Sequence, residues 1–222
     1  MDHDPFAPPP IDELDLLAHR RRVAELYAGV RRRGPGEDTW RWWVEQRDDL
    51  EATSPASIHQ AGQLPFDGFA WHPYDPALRL GELEVAPADP FVLTIGHSGA
   101  GGTPARRFGT VDLPVGGGVH QVSVFWLDVY GGGVFLPLRD ASNGTSTYGG
   151  GRYVLDTVKG ADLGGAPGRL ALDLNFAYHP SCVHDPRWSC PLAPAGERLP
   201  VEVLGGERLP TPRTTSPAAR HR

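Results

Sequence analysis

The chain has 222 residues, 40% of them hydrophobic, which suits one domain with a sizeable core and is short for two. Its 28 glycines and 23 prolines interrupt regular elements too often for a helical protein and require short strands and tight turns. A formal charge of −6 argues against a nucleic-acid binder, whose domain carries a net basic surface, and no apolar run approaches the roughly 20 residues of a membrane span, so neither nucleic acid nor membrane is expected as a partner.

The first ten residues, MDHDPFAPPP, have neither the basic start nor the apolar core of a secretory signal. They read as disordered, and the chain as soluble and cytoplasmic. A helix follows. Asp12 can cap it, Glu13 and Asp15 occupy its first turn, and Leu16, Val23, Tyr27 and Val30 share one face. Arg31, Arg32 and Arg33 close the last turn before Gly34-Pro35 stops it. A second helix fits Thr39 to about Ala52, with Trp40, Trp43, Val44, Arg47 and Leu50 at the spacing of a buried stripe. Trp42 falls off that stripe.

From about residue 78 the hydrophobic period becomes two. Strands are expected at Leu78–Val85, Phe91–His97, Arg106–Leu113, Val119–Tyr130, Val134–Asp140, Arg152–Val158, Arg169–Tyr178 and Leu199–Leu204. Gly116–Gly118 and Gly131–Gly133 bracket the clearest of them as hairpin turns. The expected fold is mainly β: an antiparallel β-barrel or β-sandwich with two N-terminal helices packed on it. The single domain covers 11–209, and 210–222 reads as a disordered tail.

Three late segments carry a resemblance: DASNGTSTYGGGRYVLD from Asp140, then LALDLNFAYHPSCVHDPRWSCPLAP, then LPVEVLGGERL. Together with SPASIHQAGQLPFDGFAWHPYDPALRL upstream, they resemble the uncharacterised bacterial family catalogued as domain of unknown function 1684, over roughly residues 40–209. The matching positions are Asp140, Thr147, Tyr148, Gly151, Arg152, Asp173, Asn175, Tyr178, Cys182 and Cys190. Leu174 stands where the family usually has Phe, His179 where it has Asn and Ser181 where it has Pro; His184 also departs from its pattern. The resemblance implies no established activity.

Chemistry on these residues can be read in more than one way. Charges within apolar strands are paired or exposed for a purpose. In the functional reading Asp140, Asp173 and Tyr148 are catalytic candidates, while Arg152, Asn175, Tyr178 and Trp126 hold a ligand, Arg152 gripping a carboxylate or phosphate. In the structural reading Arg152 neutralises Asp173 and pins two loops. Cys182, Cys190, His179 and His184 could ligate zinc, although their spacing is not a common zinc pattern, or the thiols could bridge or merely pack. The sequence reading thus favours a small-molecule-binding domain with a polar and aromatic pocket and no cofactor. The alternatives are a cofactor-independent hydrolase or isomerase using an aspartate, and a structural or metal-stabilised interaction module.

Overall fold

In the computed structural model, which describes residues 11–59 and 66–210, the described chain begins with two helices. Helix α1 spans Glu13–Arg33; the Asp12 carboxylate accepts from the Leu14 and Asp15 amides at 2.8 and 3.2 Å, satisfying donors that the first turn leaves free. Helix α2 spans Glu37–Thr53 and stops at Ser54, before Pro55. Leu26, Tyr27 and Val30 of α1 pack with Trp40 and Trp43 of α2 and with Phe176. Trp42 lies against Gly29 of α1, where an added Cβ would come within 2.3 Å of its ring, and Arg33 stacks on the ring at 4.3 Å. No helix among the described residues is long and apolar enough to cross a membrane.

Seven strands follow: β1 (Arg79–Glu84), β2 (Ala86–Gly96), β3 (Gly102–Val115), β4 (Gly118–Leu127), β5 (Gly133–Leu138), β6 (Arg152–Asp156) and β7 (Arg169–Asp173). Strands β2 to β6 form a five-stranded antiparallel meander in chain order, and β1 pairs with β7 in a separate two-stranded sheet. Val115 pairs with Gly118, so Gly116 and Gly117, at φ 61° and 77°, make a two-residue hairpin turn whose mirrored dihedrals match strand twist.

Val111, Leu113, Val122, Val124, Leu136, Leu138 and Val154 of the large sheet pack with Leu80, Leu83, Leu170 and Leu172 of the small one. The opposite face buries Ile95, Ala105, Phe125, Phe135 and Tyr153. Because both faces of the meander's centre are covered, Val124 and Phe125 are adjacent and both buried. Strands β2 and β6 end the meander without pairing to each other, so no closed barrel forms. The architecture is sandwich-like, mainly β, with the two helices packed at the β7 end.

Two of the expected strands are corrected. After Asp173 the chain turns instead of continuing to Tyr178, because the Asp173 carboxylate accepts the Asn175 amide at 3.0 Å and Leu174–Phe176 coils into a 3-10 turn. Residues 199–204 form no ladder. Their partners, at residues 139–141, lie beyond the end of β5, and the two segments share bonds such as Leu199 N–H to Arg139 O at 2.8 Å. The disorder expected for residues 1–10 and from 210 onward lies, Pro210 apart, outside the described residues.

Candidate functional site

Four segments meet where the helices pack on the sheets. Helix α2 brings Arg47. The segment after it brings Phe69 and Trp71. The chain leaving β7 returns to β6, where Tyr178 and Tyr153 exchange backbone hydrogen bonds at 2.8 and 3.0 Å, and this sets His179 beside the site. A 3-10 turn, Ser181–Val183, then carries the chain round to His184. Near the end of the described chain, the Glu207 amide donates to Ala177 O at 2.7 Å and turns its side chain inward.

The centre is the Glu207 carboxylate, 1% exposed. Its Oε2 accepts from Arg47 Nη1 at 2.9 Å and from the His179 amide at 3.0 Å. Its Oε1 lies 3.3 Å from His179 Nδ1 and 2.8 Å from His184 Nε2. Arg47 is boxed in by rings, its guanidinium carbon 4.2 Å from the centre of Phe69, 5.2 Å from Tyr178, 5.3 Å from Trp71 and 5.7 Å from Trp43. Guanidinium over aromatic faces is attracted by their quadrupoles, which offsets part of the hydration lost on burial.

These contacts set the protonation states. Burial opposes ionisation of Glu207, but Arg47 and then the two histidines overcome it and hold the carboxyl well below the usual carboxylate range. Burial lowers the pKa of His179 against the pull of Glu207, which favours the neutral ring. The Tyr148 amide donates to His179 Nε2 at 3.1 Å, so the neutral ring carries its proton on Nδ1, facing Glu207. His184 is the member that reaches solvent, with its side chain 17% exposed and its ring 4.8 Å from that of Phe69.

The network forms the floor of a cleft of about 560 Å³ walled by Phe66, Gly68, Phe69, Val183 and Arg208. That volume falls within the roughly 300–1,000 Å³ typical of small-molecule sites. Behind Arg47 and His179, a cavity of about 90 Å³ between Val23, Tyr27 and Leu50 has room for only a few waters.

The residues singled out in the sequence are distributed over several places. Arg152 pairs with Asp140 at 2.9 Å, not with Asp173 as expected, and both side chains are fully buried. The terminal nitrogens of Arg152 also donate to the backbone oxygens of Val203, Gly205 and Glu207, while its Nε has no partner. Asp173 and Asn175 form a separate turn: Asn175 spans Asp173 Oδ1 and the backbone of Asp75, and Asp173 Oδ2 is buried without a partner. Burial raises the Asp173 pKa to about 6. Tyr148 and Tyr178 both border the Glu207 network, Tyr148 through its amide and Tyr178 through its ring on Arg47. Trp126 is on β4, under Arg106 and against Gly132 of the β4–β5 turn.

The four metal candidates separate into pairs. His179 and His184 converge on Glu207, whereas Cys182 and Cys190 are free thiols that share a hydrogen bond with each other. That bond from Cys190 lowers the Cys182 pKa, with Ser98 assisting against burial.

Arg47 and Glu207 were not singled out from the sequence. For Arg47 a signal was present: a charge in the buried stripe of α2, one turn beyond Trp43. Glu207 follows a Gly-Gly pair in a segment without periodicity, so no local pattern marked it.

No curated protein matches this chain. A solution NMR structure of an uncharacterized protein from gene locus rrnAC0354 of Haloarcula marismortui is similar, with a TM-score of 0.51 and 26% identity, covering 78% of this chain and 96% of that one. The family model described as "Protein of unknown function (DUF1684)" matches residues 65–208, which takes in β1 to β7, His179, His184 and Glu207 but not Arg47. The chain belongs to that family.

Proposed function

We propose that the chain is a small-molecule-binding domain and that the cleft over Glu207 is its binding site. One observation carries this reading: a buried, charged network ends in an imidazole, His184, at the floor of a cleft large enough for a ligand. Burial of charge costs several kcal/mol per ion even after relaxation, and a pair that serves the fold alone can be closed on every side, as Arg152–Asp140 is. The rings of Phe66 and Phe69 offer stacking surface, and His184 offers a hydrogen-bonding nitrogen. The reading includes the cytoplasmic location inferred from the sequence, with which two unbridged cysteines accord.

The test is native mass spectrometry of gently purified protein, beside the same sample denatured. The expected result is an added small mass that is lost on denaturation and absent from Ala70→Trp, a variant that fills the cleft. A bare chain mass in both conditions would count against the proposal.

A second reading, a cofactor-independent enzyme with Asp173 as general acid/base, is favoured by the raised pKa of Asp173 and its unpartnered Oδ2. Asp173 lines a different cavity, of about 350 Å³, beside Arg79 and Leu163. Under this reading Asp173→Asn abolishes turnover of a substrate found by screening yet retains the fold; full turnover in the variant would remove it.

A further inference from the structure

Glu207 divides its oxygens between two tasks. Oε2 faces inward and is committed to Arg47 and the His179 amide. Oε1 faces two imidazole nitrogens, His179 Nδ1 and His184 Nε2. The three donor atoms lie within 4.8 Å of one another. His184 Nε2 is buried, yet although it approaches Oε1 to 2.8 Å it makes no aligned hydrogen bond. A buried nitrogen this close to a carboxylate and out of line with it can share a cation with that carboxylate.

We propose that His179 Nδ1, His184 Nε2 and Glu207 Oε1 bind one divalent first-row transition-metal ion of the zinc type, with a coordination position open to the cleft. Two imidazoles and a carboxylate are ligands such an ion accepts, and three protein ligands with an open position mark a reactive zinc site in contrast to a closed structural one. With bonds of about 2.0–2.2 Å, tetrahedral ligand atoms stand about 3.3 Å apart. His179 and Glu207 already have that separation, 3.3 Å. His184 has to withdraw by about half an ångström, and it is the least confined of the three. Glu207 is held in the ionised form that a metal requires, and Arg47 fixes it from the far oxygen as an outer-shell partner.

One contact opposes metal uptake. The Tyr148 amide bonded to His179 Nε2 leaves the ring proton on Nδ1, where the metal has to enter. Binding must expel that proton, or move it to Nε2 and turn the Tyr148 amide away. The cost weakens the site relative to one that is preformed for metal.

The inference rests on the reading of this cleft as the functional site, and it is tested with the metal alone. The full chain is treated with chelator and titrated with Co²⁺, followed by visible absorption, and with Zn²⁺, followed by calorimetry. One ion per chain is expected. Loss of an outer-shell partner alone costs metal affinity about 10–100-fold, so His184→Ala, which removes a ligand, is expected to weaken binding by at least about 100-fold while circular dichroism shows an unchanged fold. Cys182→Ser with Cys190→Ser is expected to leave binding unchanged. Absence of binding by the wild-type chain, binding that survives His184→Ala, or binding that depends on the thiols overturns the proposal. A chain that takes no metal but carries a cleft ligand overturns the metal site and leaves the small-molecule reading standing; a chain that takes metal and carries no ligand does the reverse.

Discussion

Arg152–Asp140 and Arg47–Glu207 are both arginine–carboxylate pairs at 2.9 Å, and both are almost wholly withdrawn from solvent. Their surroundings differ. The Arg152 guanidinium spends its terminal nitrogens on Asp140 and three backbone oxygens of the 203–207 segment, so it fastens that segment to β6. Arg47 meets one carboxylate and four aromatic faces, and the carboxylate passes the interaction on to two histidines, one of which reaches a cleft. A buried charge pair therefore does not by itself mark a site. The informative feature is whether the network ends inside the protein or at an opening.

The comparison can be broken most directly at Arg152. Arg152→Ala leaves Asp140 buried without its cation and is expected to cost about 3–5 kcal/mol, read by urea denaturation; a loss under about 1 kcal/mol would mean the pair does not clasp the fold. Glu207→Gln is expected to cost less, about 2–3 kcal/mol, because Arg47 keeps its aromatic box. That gap has a pH signature. The folded pKa of Glu207 is depressed, so its contribution is present above the ordinary value of 4.5 and fades as pH falls through the lower folded value. The stability curves of wild type and Glu207→Gln should converge in acid.

Asp173 supplies the third kind of buried carboxylate, one with no arginine partner. Its folded pKa is raised from 3.8 to about 6, so it favours folding below 3.8 and that contribution is lost as pH rises through about 6. Asp173→Asn mimics the protonated form and is expected to gain up to about 2–3 kcal/mol above pH 6 and nothing below pH 4, measured as the difference between denaturation curves at the two pH values. Equal stabilities at both would show that the carboxyl is not strained by burial. The smallest effect on stability is expected at His184. Its replacement by alanine should shift stability by less than about 1 kcal/mol, measured by thermal melting, even as it removes the nitrogen that the cleft offers.

Much of the fold was legible because short-range chemistry decides it. Asp12, Gly34 and the three terminal arginines bound α1, and paired glycines punctuate β3, β4 and β5. Periodicity failed at 174–178 and 199–204. Leu174, Phe176, Ala177, Leu199 and Val203 are buried, but Asp173 diverts the first segment by a side-chain bond to the backbone and the second lacks a full strand to pair with. The site was legible in halves. The histidines and Tyr148 came from two neighbouring motif segments, whereas Arg47 and Glu207 are joined only by tertiary packing, which no window on the sequence samples. Arg152, Asp140 and Asp173 stood out together, but the sequence put Arg152 on Asp173, and only the fold shows that Asp140 is its partner.

The Arg47–Glu207 bond closes a span of 160 positions. Synthesis runs from the N-terminus, so helix α2 leaves the ribosome long before Glu207 is made. At about 5–20 residues per second the arginine is without its carboxylate for on the order of ten seconds. For most of that interval the tryptophans of α2 also lack Phe176, against which they pack in the finished fold. The same late segment brings the three backbone oxygens that bind Arg152. Completion of the core and assembly of the cleft floor are thus one event, and a chain interrupted before residue 207 has neither.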